Sequence, residues 1–276
     1  MIELPEALVL AEQMAQTLRG KQITGVVRGN APHKFAFYNH TPEEYADLLC
    51  GRTLGTAAGS GAFILLGVEP ALQLIFGEGG ERILLHADAR TLPKKHHFLL
   101  SFSDGTYLTV TVRGWGFAQL VRRGEFPPPY FEGKNTVLPL SADFSREFFE
   151  SLFSSLKPAD PRSLKYFLIS QPGVWGLGNG CLQDILFAAR LRPRRPAASL
   201  TADERGQLYA AIDAVLRQCV AQGGRDSELD LFGRPGGYVR RMDSRTVGLP
   251  CPECAAPIVK EQYQGGAVYF CPHCQS

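Results

Sequence analysis

The segment Ser170–Gly180 reads "SQPGVWGLGNG" and lies between two helix-like stretches, near residues 161–170 and 181–190. Glycine occupies four of its eleven positions, and glycine destabilises the interior of a helix. The sequence therefore predicts two helices joined by a glycine-rich turn. Such a turn aims backbone N–H groups and the short amide of Asn179 at one place, which suits an anion. The alternative is that Asn179 is only a turn residue with positive φ.

Two further helices are predicted near residues 145–156 and 201–222, which gives a helical domain over residues 141–245. Residues 161–276 carry 14 Lys and Arg against 10 Asp and Glu, with cations concentrated in Arg190–Pro196 and Arg234–Arg245. A local basic patch favours a polyanionic partner such as nucleic acid. Arginine-rich loops are also common as solvated surface, so the charge alone does not decide the partner.

Four of the seven cysteines form a C-x2-C-x16-C-x2-C array within residues 246–276, at Cys251, Cys254, Cys271 and Cys274. This spacing lets four thiolates surround one Zn²⁺ ion while the chain between them turns as a hairpin near Gly265 and Gly266. A site closed by four thiolates has no open position for substrate, so the expected ion is structural. Two disulfides are the alternative, which a reducing compartment disfavours. We expect the other three cysteines, Cys50, Cys181 and Cys219, to be buried.

The N-terminal half begins with a helix predicted over residues 4–19, in which Pro5 occupies the first turn. About eight short strand-like runs follow between residues 22 and 121, separated by turn signals such as "GEGGE" and "SDGT". This spacing predicts a β-sandwich or barrel over residues 1–121. Residues 122–140, rich in proline and glycine, are interpreted as a linker between domains.

The composition, with 45% hydrophobic and 20% charged residues, is typical of a globular protein. No apolar run reaches the length of about 18 residues that a membrane span needs, and the N-terminus lacks the features of a secretory signal. We therefore expect a cytoplasmic protein without a membrane partner. The expected fold class is α+β, with several domains.

Three motifs occur in order along the chain: "ELPE" at Glu3–Glu6, "GLGN" at Gly176–Asn179 and the four-cysteine array about seventy residues later. In this order they resemble the formamidopyrimidine-DNA glycosylase and endonuclease VIII family of DNA repair enzymes, over essentially the whole chain. The resemblance implies an N-terminal helix and β-sandwich, a helix-two-turns-helix domain and a C-terminal zinc-finger hairpin. It also implies binding to double-stranded DNA, as a monomer.

The family mechanism uses the α-amine of an N-terminal proline, which attacks C1′ of a damaged nucleotide while a neighbouring glutamate moves protons. Glu3 and Glu6 match the family's acids, but Ile2 stands where the proline would be. Because removal of the initiator methionine needs a small second residue, we expect Met1 to remain, with its amine displaced by about 3.8 Å. Alternatively, Glu3 and Glu6 only interact favourably with the helix dipole.

The resemblance also implies DNA contacts. His86 and Asn179 match residues that contact phosphate, Arg113 and Trp115 match residues that penetrate the double helix, and we assign Lys165 to DNA binding as well. Two of the family's phosphate-contacting cations are missing, since Ala62 replaces a lysine and Gly266 replaces the arginine of the finger. Two alternatives stay open: Trp115 as a core residue and His86 as a structural histidine.

These matches predict a protein that binds damaged, abasic or distorted DNA, with weak or lost excision by the usual route. Whether it is an enzyme stays open, because catalysis through the Met1 or Ile2 amine is the first alternative. The second is a protein- or RNA-binding role on the same fold.

Overall fold

The computed structural model describes residues 1–125 and 136–276. The expected linker therefore falls largely outside the described residues. The chain forms two compact units: Met1–Glu132 together with Gln222–Gly237, and Gly133–Ala221 together with Tyr238–Ser276. The segment 222–237, expected in the helical domain, thus belongs to the first unit, and the cysteine-rich hairpin shares the second unit with the helices.

The first helix, α1 (Leu4–Thr17), starts with a reciprocal capping box in which the Glu3 side chain accepts from the Glu6 backbone and the Glu6 carboxylate accepts from the Glu3 N–H. The predicted helix over residues 4–19 is confirmed to within two residues at its end. The helix lies against a strand at Gly59, where a Cβ atom would come within 2.9 Å of the Leu8 side chain. Glycine there allows the close approach.

The other described residues of the first unit form a second α-helix and nine strands. In chain order these are β1 (Ile23–Val27), β2 (Ala36–Phe37), α2 (Pro42–Leu49), β3 (Leu54–Ser60), β4 (Phe63–Val68), β5 (Leu72–Gly77), β6 (Glu81–His86), β7 (Phe98–Phe102), β8 (Tyr107–Val112) and β9 (Gly116–Arg122). One sheet has the order β1-β7-β8-β6 and the other β2-β9-β5-β4-β3. Neighbouring strands are antiparallel, except that β2 runs parallel to β9.

A single hydrophobic cluster contains buried residues of both sheets and of α1. The rings of Phe76 on β5 and Phe98 on β7, which belong to different sheets, lie 5.9 Å apart. Two sheets that share one core form a sandwich. The sequence-based expectation of a sandwich with an N-terminal helix is confirmed.

In the second unit, residues 136–221 and 238–276 form four α-helices and a β-hairpin: α3 (Arg146–Phe153), α4 (Leu164–Ile169), α5 (Asn179–Ala188), α6 (Ala202–Ala221), β10 (Val259–Tyr263) and β11 (Gly266–Phe270). The glycine-rich segment separates α4 from α5, as predicted, and Gly176 adopts a positive φ of 77° there. Gly178 is the N-cap of α5, so Asn179 is its first helical residue. The hairpin turns between β10 and β11, as the sequence predicts, with Gly265 at φ 74°.

None of the helices within residues 1–125 and 136–276 combines the length and the apolar character that crossing a membrane requires.

Candidate functional site

Glu3 and Glu6, at the start of α1, contact the buried Arg225, which lies in the segment 222–237 of the same unit. Arg225 donates to Glu3 Oε1 at 2.9 Å and to both carboxylate oxygens of Glu6, at 2.9 and 2.6 Å. All three side chains are at most 4% exposed. The guanidinium also donates to the Met1 carbonyl at 2.7 Å, so one side chain orders the chain start and both acids.

Burial opposes ionisation of Glu6, but the Arg225 guanidinium and its hydrogen bonds hold the pKa of Glu6 below its usual value. Arg225 was not among the residues expected from the sequence. It follows α6 in a stretch without periodicity, and no local signal pairs it with acids more than two hundred positions away. Glu3 and Glu6 therefore interact with Arg225 as well as with the dipole of α1.

The backbone nitrogens of Met1 and Ile2 differ in chemical state and in exposure. The Met1 α-amine donates to Glu228 Oε1 at 2.8 Å, and Met1 is 44% exposed. The Ile2 nitrogen is an amide that donates to the Gly79 carbonyl at 2.9 Å, and Ile2 is 3% exposed. A buried, hydrogen-bonded amide is not a nucleophile, so the accessible amine at this place is that of Met1.

The loop between β8 and β9 carries Arg113, which is exposed, and Trp115, which is partly exposed. Its backbone packs directly on the "GEGGE" turn. Gly80 N donates to the Trp115 carbonyl at 2.9 Å, and a Cβ atom on Gly80 would lie 1.8 Å from the Arg113 carbonyl. Trp115 lies outside the sandwich core, which contradicts the alternative that it is a core residue.

The buried Glu81 side chain links the chain just after this loop to the "GEGGE" turn by hydrogen bonds. One carboxylate oxygen accepts from Phe117 N at 2.6 Å and the other from Gly79 N at 3.4 Å. Burial raises the pKa of Glu81 to about 8, although these N–H donors favour the ionised form. The carboxyl is therefore largely protonated at neutral pH.

This shift predicts a pH dependence of stability. The folded state holds a proton on Glu81 that the unfolded chain releases near pH 4.5, so the free energy of unfolding should fall as the pH rises from about 4.5 to about 8 and then level off. In Glu81→Gln, whose side chain cannot ionise, the free energy of unfolding should fall by a few kcal/mol less over this pH range. Urea titrations at several pH values measure it. Glu12→Gln, at an exposed position of α1, serves as the control and should leave the profile unchanged.

A pocket of about 280 Å³ opens beside the chain start. Residues from four segments line it, among them Met1, Arg82, Arg113, Trp115 and Glu228. The pocket thus brings together the Met1 amine and the two residues that the sequence analysis assigned to penetration of the double helix. Its lining combines charged side chains of both signs with the Trp115 ring.

His86 lies at the end of β6 and is 7% exposed. Its Nε2 lies 2.8 Å from the Thr109 hydroxyl and its Nδ1 lies 3.2 Å from the Thr91 hydroxyl. Burial lowers the pKa of His86, so the ring is neutral at physiological pH. Both nitrogens are occupied, which favours the alternative of a structural histidine over the expected phosphate contact.

In the second unit, Lys165 and Asn179 meet at the hairpin. Lys165 Nζ donates to the Tyr263 carbonyl at 2.7 Å and Asn179 Nδ2 donates to the Ala267 carbonyl at 3.0 Å. A Cβ atom on Gly266 would lie 3.5 Å from Lys165 Nζ and 3.9 Å from Asn179 Nδ2. Burial lowers the pKa of Lys165. The alternative of Asn179 as a turn residue with positive φ is wrong, since it belongs to α5.

The four cysteines of the array come together as predicted. The Sγ atoms of Cys251, Cys254, Cys271 and Cys274 all lie within 4.8 Å of one another. The pairs Cys251–Cys274 and Cys254–Cys271 are 3.8 and 3.5 Å apart, too far for disulfide bonds of about 2.05 Å. The cluster can hold one metal ion. Elsewhere, Cys181 and Cys219 are buried as expected, whereas the prediction for Cys50 is wrong because it is exposed at the end of α2.

Comparison with known protein families finds two matching models. The formamidopyrimidine-DNA glycosylase N-terminal domain matches residues 1–116, and the formamidopyrimidine-DNA glycosylase H2TH domain matches residues 137–230. Among curated proteins, a formamidopyrimidine-DNA glycosylase of Thermus thermophilus is 31% identical over 281 residues, covering 100% of this chain and 98% of that protein. That of Roseiflexus sp. is 31% identical over 284 residues, covering 100% of both.

Solved structures give the same result. The crystal structure of the MutM (Fpg) protein from Thermus thermophilus matches with a TM-score of 0.83 and 29% identity, over 99% of this chain and 98% of that one. The complex of Lactococcus lactis Fpg with DNA containing an abasic site matches with a TM-score of 0.84 over 99% of both chains. At 22% identity, the second match is evidence for the fold alone.

Proposed function

The chain belongs to the formamidopyrimidine-DNA glycosylase family, and from this premise we propose that it binds double-stranded DNA at damaged or abasic sites without excision by the family's usual amine chemistry. The observation that carries the proposal is the state of the Ile2 nitrogen, a buried amide that donates to Gly79. It stands where the resemblance puts the reacting amine. The Arg225 contacts further engage both acids that would serve that amine.

DNA binding is supported in both units. In the first, Arg113 and Trp115 project from a loop that the "GEGGE" turn holds in place. A side chain inserted at an everted nucleotide offsets part of the cost of base flipping, which is a few kcal/mol. In the second, Lys165 and Asn179 meet at the hairpin, where we place a phosphate. The Lactococcus lactis relative holds abasic-site DNA in its solved structure.

We assign one structural Zn²⁺ ion to the cysteine cluster. Four thiolates at about 2.3 Å from a tetrahedral zinc ion lie roughly 3.8 Å from one another. The Cys251–Cys274 and Cys254–Cys271 separations of 3.8 and 3.5 Å are close to this value. When bound, the ion links the two ends of the hairpin. We further propose that the protein acts as a cytoplasmic monomer.

Borohydride trapping tests the proposal. The full-length, zinc-loaded protein is incubated with abasic-site duplex, with and without borohydride, which reduces a Schiff base to a permanent crosslink. We expect tight binding without crosslink or strand cleavage. The Thermus thermophilus relative serves as the positive control under the same conditions. Efficient crosslinking and cleavage by the present protein would contradict the proposal.

Catalysis through a displaced nucleophile is the second candidate, and one observation favours it. The Met1 amine is accessible and lies in the pocket with Arg113 and Trp115. If a crosslink forms, peptide mass analysis after proteolysis identifies the amine, and intact mass tells whether Met1 is still present. Crosslinking at Met1 would establish this second candidate in place of the first.

A role in protein binding predicts a different response to salt, whereas contacts with RNA phosphates weaken with salt as DNA contacts do. Contacts with several duplex phosphates weaken as counterions compete, with a log–log slope of roughly −0.9 per phosphate. Binding of abasic duplex that is insensitive to salt would favour the alternative role.

Gly266→Arg should strengthen DNA binding. The position is not in the left-handed region, and a Cβ atom would make only ordinary contacts with Lys165 Nζ and Asn179 Nδ2. A guanidinium there would add one phosphate contact, so we expect about tenfold tighter binding and a salt slope steeper by about one. Fluorescence anisotropy with abasic duplex measures both. Gly266→Gln is the uncharged control, and an equal gain in both variants would refute the charge-based explanation.

A further inference from the structure

Four aromatic side chains form a grid on one face of the sandwich. Strand β2 pairs in parallel with β9, with Phe37 opposite Phe117. Because side chains alternate between the two faces of a sheet, the residues two positions earlier, just before each strand begins, share this face. Those residues are Phe35 and Trp115, and Gly116 N ties the two strands there by donating to the Phe35 carbonyl at 2.9 Å. The residues between them, Ala36 and Gly116, are small.

These four rings, which we call the aromatic platform, line a shallow depression of about 740 Å³ together with Gly114. Phe35 and Phe37 are 48% and 41% exposed, although phenylalanine is usually buried. The Phe37 and Phe117 rings lie 5.4 Å apart, and the Trp115 and Phe117 rings 5.6 Å apart. An exposed cluster of this kind marks a binding surface.

The chemistry around the aromatic platform favours a nucleic acid as its occupant. Lys34 Nζ lies 5.4 Å from the centre of the Phe35 ring, and the exposed Arg113 belongs to the same loop as Trp115. Among the residues that the structure describes, the five that line the depression include no acid. Aromatic rings bordered by cations are how proteins hold single-stranded nucleic acid, with bases stacked on the rings and cations close to the phosphates.

Pairing with a second protein strand is less well supported. Although β2 is an edge strand, it has only two residues, and so short an edge offers few backbone groups to an added strand. The platform presents side chains rather than backbone groups. A base stacks on such a surface whatever its sequence, since every base has a π face.

We infer that the aromatic platform, Phe35, Phe37, Trp115 and Phe117, binds unpaired nucleobases of DNA, so that the protein prefers duplexes with locally opened strands over intact duplexes. The inference rests on the proposed DNA-binding function, with which it shares Trp115. It adds a second element of recognition: an abasic site needs only the loop residues, whereas an opened strand also needs Phe35 and Phe37.

The test uses three fluorescently labelled duplexes: one intact, one with a single abasic-site analogue, and one with a short internal loop of unpaired thymines. We expect the wild type to bind the looped duplex more tightly than the intact one. The double variant Phe35→Ala/Phe37→Ala should bind the looped duplex about tenfold more weakly and the intact duplex as before. Both residues are exposed, so the variant should fold.

Phe232→Ala is the matched control, because Phe232 is 45% exposed in the same unit but does not line the platform. It should leave all three affinities unchanged. A fluorescent adenine analogue placed in the loop gives a direct signal of stacking, which should quench its emission with the wild type and not with the double variant.

The possible outcomes separate the two proposals. If the double variant binds the looped duplex as tightly as the wild type does, the inference fails. If both proteins still bind the abasic duplex in that case, the proposed function stands. If the wild type binds none of the duplexes, the proposed function fails as well. If the double variant instead turns a dimer into a monomer on size exclusion, the platform holds a second copy of this chain, and the inference is wrong.

Discussion

Arg225→Ala should lower the free energy of unfolding by about 3–5 kcal/mol, because removing one partner of a buried ion pair leaves a buried charge without compensation. Here a single guanidinium serves two carboxylates, Glu3 and Glu6, which are 1% and 4% exposed. Its loss also removes the donor to the Met1 carbonyl. Urea unfolding followed by circular dichroism measures the change. Arg217→Ala is the matched control, because Arg217 is 61% exposed and pairs with Asp213 on its own helix, so we expect about 0.5 kcal/mol or less.

A rescue experiment separates lost charge compensation from lost packing. In the background of Arg225→Met, the further changes Glu3→Gln and Glu6→Gln remove the uncompensated charges and should restore part of the lost stability. If Arg225→Ala costs no more than Arg217→Ala, the cluster is not an important source of stability. If the rescue restores nothing, packing of the guanidinium, rather than its charge, is the cause.

The contacts between Arg225 and Glu6 also predict how the free energy of unfolding changes with pH in acidic solution. Since the folded-state pKa of Glu6 is lowered, the stabilisation is fully present above the unfolded value of about 4.5 and is lost as the pH falls through the folded value. Glu81 acts in the opposite direction at higher pH, because its pKa is raised. The two buried acids thus favour a stability maximum in weakly acidic solution.

The elements that the sequence predicts well are those with a strong local pattern. The apolar runs that form β4, β5, β7 and β8 and the helix α1 carry their periodicity in the chain. Strand β3 lacks such a pattern because its residues, "LGTAAGS", are mostly small: the strand packs beside α1, where a side chain larger than that of Gly59 would collide with Leu8. Helix α2 lies in the region for which the sequence predicts strands, although Thr41, Pro42 and Glu44 form a complete capping signal.

The candidate site divides in the same way. The four cysteines and the turn before Asn179 follow from spacing and turn chemistry, which are local, whereas Arg113 and Trp115 follow only from the resemblance to the family. Arg225 could not be found, because its role depends on contacts with Glu3 and Glu6 that only the fold creates. His86 illustrates the reverse case, since a motif match suggested a phosphate contact while two threonine hydroxyls occupy its ring nitrogens.

Cys254→Ser should abolish metal binding, reducing the zinc content from one ion per chain to nearly none after dialysis against a chelator. A structural zinc ion supplies much of the folding free energy of a small cysteine-rich module, about 10–16 kcal/mol in isolated fingers. The hairpin here has only a small apolar base, in which Phe187, Met242 and Ile258 pack with Cys251 and Cys271. The sheet of two five-residue strands is not expected to stay ordered without the ion.

Loss of the ion should also weaken DNA binding. The hairpin carbonyls of Tyr263 and Ala267 accept from Lys165 Nζ and Asn179 Nδ2, so a disordered hairpin leaves both side chains without these partners. We expect at least tenfold weaker binding of abasic duplex, together with faster hydrogen exchange of the amides in β10 and β11. The matched control is Cys50→Ser, which changes an exposed cysteine outside the cluster and should alter neither property. An unchanged zinc content in Cys254→Ser would refute the four-thiolate site. Loss of zinc with unchanged DNA affinity would instead show that the hairpin does not position the proposed phosphate contacts.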